Sequence, residues 1–247
     1  MEQPYLYQET FTVADYECDV ADRLKLSYLL RHLQSISTAQ LNEMDLGYRR
    51  LYEEGTVFLL SRLGARIHRM PHSSEQVTFA TAPQDIKGAK FRRQARLCAQ
   101  SGEVLAEAQS VWFIVDPATF RVVRPSAFRH TLPSIPEEQR LAPDLGGDRV
   151  RPAGAVIACG RRQVAYSDMD LNRHLNNTVY ADILTDALPY EKMAAGTLRE
   201  VFLHYQNQAL LGDILSTVTQ QGEGGCYYVT GLKNGEHCFA AKALFAD

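Results

Sequence analysis

The run Tyr166-Ser167-Asp168-Met169-Asp170-Leu171-Asn172-Arg173-His174-Leu175-Asn176-Asn177 places a carboxylate, an amide and an imidazole at alternate positions: Asp170, Asn172 and His174. An imidazole titrates near neutral pH and can act as a general base. An amide can donate to a carbonyl oxygen or hold a water. A carboxylate can orient either of them. The residues before the run read as a strand and those after it as a helix. The three groups therefore sit at a strand-to-helix junction, where backbone N–H groups are free to face an anion. The same residue types also make turn and cap hydrogen bonds, so spacing alone leaves a structural role as open as a catalytic one.

The elements that position this run occur twice. At an offset of 151 (170 − 19), Val13 falls on Val164, Asp19 on Asp170 and Leu24 on Leu175. Pro71 to Thr81 falls on Ala209 to Thr219 at an offset of 138 (209 − 71). Ser101-Gly102-Glu103 then matches Asn234-Gly235-Glu236. The order in both copies is strand, helix, then several strands. In the first copy Leu26, Leu29, Leu30, Leu33 and Ile36 form an apolar stripe at helical spacing; in the second Val179, Ile183, Leu184 and Ala187 do so, and Pro189 ends the run. Asn177 or Thr178 is the expected N-cap of that helix. Val77, Phe79 and Thr81 alternate with polar neighbours, as do Val111, Phe113 and Val115, and Ser101-Gly102 and Asn234-Gly235 read as hairpin turns. Each copy is thus one long helix and an antiparallel sheet, an α+β arrangement. The stretch from His130 to Gly154, rich in Pro and Gly, reads as a linker over the surface.

Composition narrows the class. The chain has 247 residues, 45% hydrophobic and 22% charged, which suits a globular protein of one or two domains. A net charge of −3 argues against general nucleic-acid binding, and no apolar run is long enough to span a bilayer. Five cysteines without metal spacing, together with no visible signal peptide, point to reduced thiols in a cytoplasmic protein. Cys159 reads as buried packing. No histidine pair has a strong metal-binding spacing, so neither a metal nor a cofactor is expected. Lys87, Lys90, Arg92, Arg93 and Arg96 form a basic cluster. It reads first as a solvated strand face, and otherwise as a contact for an acidic partner or a phosphate.

Asp168 to Asn177, followed by Tyr180, resembles the signature of the acyl-acyl carrier protein thioesterases. That family is built as two fused hotdog domains, each an antiparallel sheet wrapped around a long central helix. The resemblance covers both copies, the linker and the Trp112 to Pro125 stretch. It implies an N-terminal hotdog over 1–130 that forms the acyl-chain pocket, a linker over 131–154, and a C-terminal hotdog over 155–247 that carries the motif.

The family's functional residues carry over onto Asp170, Asn172 and His174. The first copy has Asp19, Ala21 and Arg23 there, which leaves one active site per chain. Plant members carry a Glu-Cys pair on the strand after the helix; here those positions are Gln208 and Ala209. His174 would then be the general base, Asn172 would position water or the thioester carbonyl, and Asp170 would orient them. Gln208 would help place the water, and Asn176 and Asn177 would add substrate contacts through backbone N–H groups. The implied reaction is hydrolysis of acyl-carrier-protein thioesters to free fatty acids, by a monomer or homodimer. Hydrolysis of acyl-coenzyme A and non-catalytic acyl-thioester binding are the alternatives.

Overall fold

In a computed structural model the described residues are 5–145 and 149–246. The ends of the expected domains and residues 146–148 of the expected linker lie outside them. The first half runs β1 (Tyr7–Thr12), α1 (Leu26–Glu43), α2 (Tyr48–Glu53), β2 (Val57–Ile67), β3 (Gln76–Pro83), β4 (Phe91–Ala99) and β5 (Val104–Val115). The second repeats the order with β6 (Ala155–Gln163), α3 (Val179–Ala187), α4 (Tyr190–Ala195), β7 (Leu198–Tyr205), β8 (Ile214–Gln221), β9 (Cys226–Lys233) and β10 (Glu236–Phe245).

All ten strands form one antiparallel sheet in the order β1-β3-β4-β5-β2-β7-β10-β9-β8-β6. The order reads the same from either edge once equivalent strands are exchanged. At the join, Arg62 lies opposite His204, Gly64 opposite Phe202 and Arg66 opposite Glu200. Gly64 and Phe202 differ by the repeat offset of 138 (202 − 64), so a pseudo-twofold axis passes between them. Arg66 and Glu200 make a 2.9 Å ion pair across the join.

The apolar stripe of α1 is buried along its whole length, and α1 packs on β1, β3 and α3. Core side chains from both halves form one continuous cluster. The expectation of a long central helix in each copy holds for α1, with 18 residues, but α3 has only 9. Leu188, the residue before Pro189, is extended with ψ 154°, as the proline ring requires, and this stops the helix. Asn234 and Gly235, with φ of 53° and 85°, make the tight β9–β10 turn.

The linker stretch runs over the outer face of the sheet as a packed strap. Ile135 N–H donates to Pro83 O (2.9 Å), and Ile135, Leu141, Ala142 and Leu145 are buried. Alternation along β4 sends Arg92, Gln94 and Arg96 to that face. Gln94 bonds Leu141 N–H and Ala142 O, Arg96 bonds Leu141 O and Arg140 O, and Arg92 pairs with Asp85 and Asp144. Arg92 and Arg96 are therefore neither a solvated face nor a free docking surface; they hold the strap, while Lys87 and Lys90 of the same cluster are exposed. Cys159, expected in the core, is exposed on edge strand β6, where every residue but Arg162 is exposed.

Candidate active site

Sequence position makes the motif a closed loop. Met169 and Leu175 form a β-bridge, Asp170 N–H donates to His174 O (2.9 Å), and Arg173 N–H donates to Asp170 O (3.0 Å). Arg173 takes the left-handed conformation, φ 61°, to allow this turn. Asp170 Oδ1 accepts the backbone N–H groups of Asn172 (2.8 Å) and His174 (3.4 Å). Asp170 thus sets both residues through their backbone. Beneath the loop, buried Asp168 accepts Ala165 N–H (2.9 Å) and pairs with Arg162 (2.8 Å).

The first copy keeps the loop without its chemistry. Asp19 Oδ1 accepts the N–H groups of Ala21 (2.8 Å) and Arg23 (3.1 Å), and Asp22 is left-handed at φ 55°. Arg23, at the place of His174, pairs with Asp19 (3.1 Å) and donates to Met193 O (2.8 Å).

Asp170, Asn172 and Asn177 line a cavity of about 160 Å³ whose other walls come from the first half and from Leu132 of the linker. Leu41 of α1, Tyr48 and Leu51 of α2, Phe58, Phe91 and Trp112 supply an apolar surface. Of the other expected site residues, His174 is half-buried, with its ring 6.4 Å from Phe120. Asn176 Oδ1 accepts both the N–H and the hydroxyl of Thr178 (2.9 Å each), and Asn176 N–H donates to Asp168 O. Thr178 is thus the N-cap residue of α3, one of the two expected; its own side chain makes no cap bond, Asn176 Oδ1 holds it from two residues earlier, and the Asn176 N–H is engaged within the chain. Asn177 O accepts the hydroxyl of Tyr205 (3.1 Å), whose pKa burial pushes up. Gln208 is exposed between β7 and β8, with its carbonyl on Lys233 Nζ (3.0 Å). Its neighbour Ala209 accepts Leu175 N–H (2.8 Å), which anchors the motif loop to that turn.

Several wall residues carry no sequence signal of their own. Tyr48, Phe58 and Phe91 are ordinary apolar positions until the fold brings them to a loop far away in sequence. Arg93 also lines the cavity; its place in a basic cluster gave no sign of burial. Among the described residues, no group of three or more His, Cys, Asp or Glu side chains is arranged to hold a metal. No helix among them is long and apolar enough to cross a membrane.

The chain matches the acyl-ACP thioesterase N-terminal domain over residues 4–126 and the acyl-ACP thioesterase C-terminal domain over residues 158–247. It belongs to the acyl-ACP thioesterase family. It is similar to an acyl-ACP thioesterase from Bacteroides thetaiotaomicron, with 20% identity, a TM-score of 0.82 and 97% of each chain covered. It also resembles the 12:0-ACP thioesterase from Umbellularia californica, at 14% identity and a TM-score of 0.81, over 99% of this chain and 98% of that one. At these identities the likeness shows the fold, two hotdog domains in one chain. In sequence it is 24% identical to oleoyl-acyl carrier protein thioesterase 2, chloroplastic, from Arabidopsis thaliana over 241 residues. That match takes in 89% of this chain and 64% of the relative's length.

Proposed function

We propose that this family member hydrolyses acyl-acyl carrier protein thioesters and releases free fatty acids. The observation that carries the reading is the single cavity joining Asp170 and Asn172 of the second half to an apolar wall from the first. As proposed, the acyl chain lies against that wall and its thioester meets the motif loop. In this reading His174 takes a proton from water, the water oxygen attacks the thioester carbonyl carbon, and the C–S bond breaks. The thiolate leaves with the proton returned by the imidazolium. Asn172 donates to the carbonyl oxygen or holds the water. Asp170 keeps both in place through their N–H groups.

The same reading divides the chain into a pocket-forming domain over 1–130, a linker over 131–154 and a motif-bearing domain over 155–247. Asn177, on the cavity wall, is the stronger candidate for substrate contact; Asn176 and Gln208 act through the loop's support. The carrier protein is the proposed acyl donor, a monomer or homodimer the proposed assembly, and the cytoplasm the proposed compartment, the last resting on unpaired cysteines. Gln208, standing where plant relatives carry a carboxylate, favours one second reading: an acyl-thioester binder without turnover.

Steady-state hydrolysis of acyl-carrier-protein thioesters of several lengths, beside the matching coenzyme A thioesters, tests these readings. Turnover preferring the carrier form, with a loss of at least about 100-fold in His174→Ala, is expected. Turnover on coenzyme A alone moves the proposal to that donor. Binding without turnover makes the chain a binder. Full activity in His174→Ala overturns the role given to the imidazole.

A further inference from the structure

Arg93 points from the inner face of β4, between core neighbours Phe91 and Ala95, into the cavity lined by Asp170 and Asn172. It is 7% exposed. Its Nη1 donates to Gln40 Oε1 (2.5 Å) and Thr81 Oγ1 (3.1 Å). Gln40 in turn donates to Tyr5 O (3.0 Å), which fixes its oxygen toward the guanidinium. Both partners of Arg93 are neutral, and among the described residues no carboxylate pairs with it. Burial alone pushes its pKa down to about 10, so it stays charged at neutral pH. A guanidinium has five N–H donors. Arg92 Nε is sealed in without a partner; neither Nε nor Nη2 of Arg93 is sealed in that way, and Arg93 is part of the cavity wall.

The second half has no such group. Pro83 pairs with Arg93, and the equivalent Gln221 (83 + 138) pairs with Tyr227, a core residue. The charge is therefore specific to the half that supplies the pocket. A saturated chain in that pocket would leave cationic donors facing methylene groups, with water displaced and nothing in its place. An oxygen on the chain would restore the missing acceptor.

We propose that the pocket selects acyl chains bearing an oxygen acceptor at the depth of Arg93, with the guanidinium as the donor that reads it. A terminal carboxylate is the strongest match, because it supplies the absent counter-charge and can accept two parallel N–H bonds. A hydroxyl or keto oxygen shares the acceptor chemistry. The proposal rests on the assignment of this cavity to the acyl chain.

The test compares plain, ω-hydroxy and ω-carboxy acyl thioesters over a ladder of lengths, on the wild-type chain and on Arg93→Met and Arg93→Lys. At one length the oxygenated chain should be favoured in kcat/KM by about tenfold or more, since a site built to bond a substrate oxygen rejects the analogue lacking it. Arg93→Met should abolish or invert that ratio, and Arg93→Lys should keep part of it for the carboxylate. Preference for plain chains at every length overturns the proposal, as does an unchanged ratio in Arg93→Met. The wild-type ratio decides by itself if the variants do not fold. Non-hydrolysable thioether analogues, read by calorimetry, separate the two readings. Selective binding of oxygenated analogues without hydrolysis of any thioester retains Arg93's role and removes the hydrolase. Hydrolysis without selectivity does the reverse.

Discussion

Asp170 and Asp19 accept the same pair of backbone N–H groups in equivalent loops, yet only one loop carries an amide and an imidazole. The two aspartates separate a structural role from a chemical one. Asp19→Ala and Asp170→Ala should each lower stability by about 1 kcal/mol in urea titrations, the usual cost of losing such a side-chain-to-backbone acceptor. Only Asp170→Ala should also lower kcat, because only its loop carries Asn172 and His174. An equal kcat loss in both variants would make the effect one of folding. His204 gives a pH-dependent prediction. Burial, then Arg62 and Arg149, hold its imidazole below the usual value. The unfolded chain therefore takes up this proton first as pH falls. The stability owed to the neutral ring is present above about pH 6.5 and lost as pH drops toward the folded value. His204→Gln should flatten the stability curve below that pH, read as midpoints of denaturation across a pH series.

Elements hold these residues in place through close backbone approach as much as through side chains. Gly64, on the pseudo-twofold axis, lies under the linker strap; a Cβ there would fall 2.1 Å from the Leu145 carbonyl oxygen. Backbone cannot yield as a flexible side chain does, so Gly64→Ala should cost about 1–3 kcal/mol, an overpacking penalty measurable by denaturation. Its loss should also loosen the strap, visible as faster amide exchange at Leu141, which bonds Gln94. Helix α1 depends instead on its buried stripe. Leu33→Ala removes a side chain only 5% exposed and should cost about 2–5 kcal/mol. Helix α3, half as long, relies on the Asn176 side chain that holds its N-cap Thr178 and on α1, to which Arg31 and Asp182 connect it at 3.7 Å.

The two hotdog domains share one sheet and one large core cluster, so they should unfold as a single cooperative body. Trp112, the chain's one tryptophan, lies on β5 in the first half. Its fluorescence and the far-UV circular dichroism of both halves should report the same unfolding midpoint; two separated transitions would show independent domains. Under the proposed function the same join lets one site serve a duplicated chain: the motif loop of the second half meets a cavity wall from the first, and in the first copy's loop Arg23 instead makes a salt bridge with Asp19 and a bond to Met193 O.

The sequence by itself determined the duplication, the helical stripes, the hairpin turns and the motif loop. Those features are local: they follow from period, φ > 0 residues and side chains that bond their own backbone a few positions away. It also carried the family, because Asp170, Asn172 and His174 stand at fixed spacing in one short run. Tertiary structure alone decided the rest. The burial of Arg93 follows from strand alternation on a sheet whose inner face is closed by α1, and the strap's hold on Arg92 and Arg96 from a linker with no period of its own. The cavity wall joins residues brought together only by the fold. Contacts at that sequence distance depend on how two curved sheets share one edge, and no local pattern encodes which apolar side chain will face which loop.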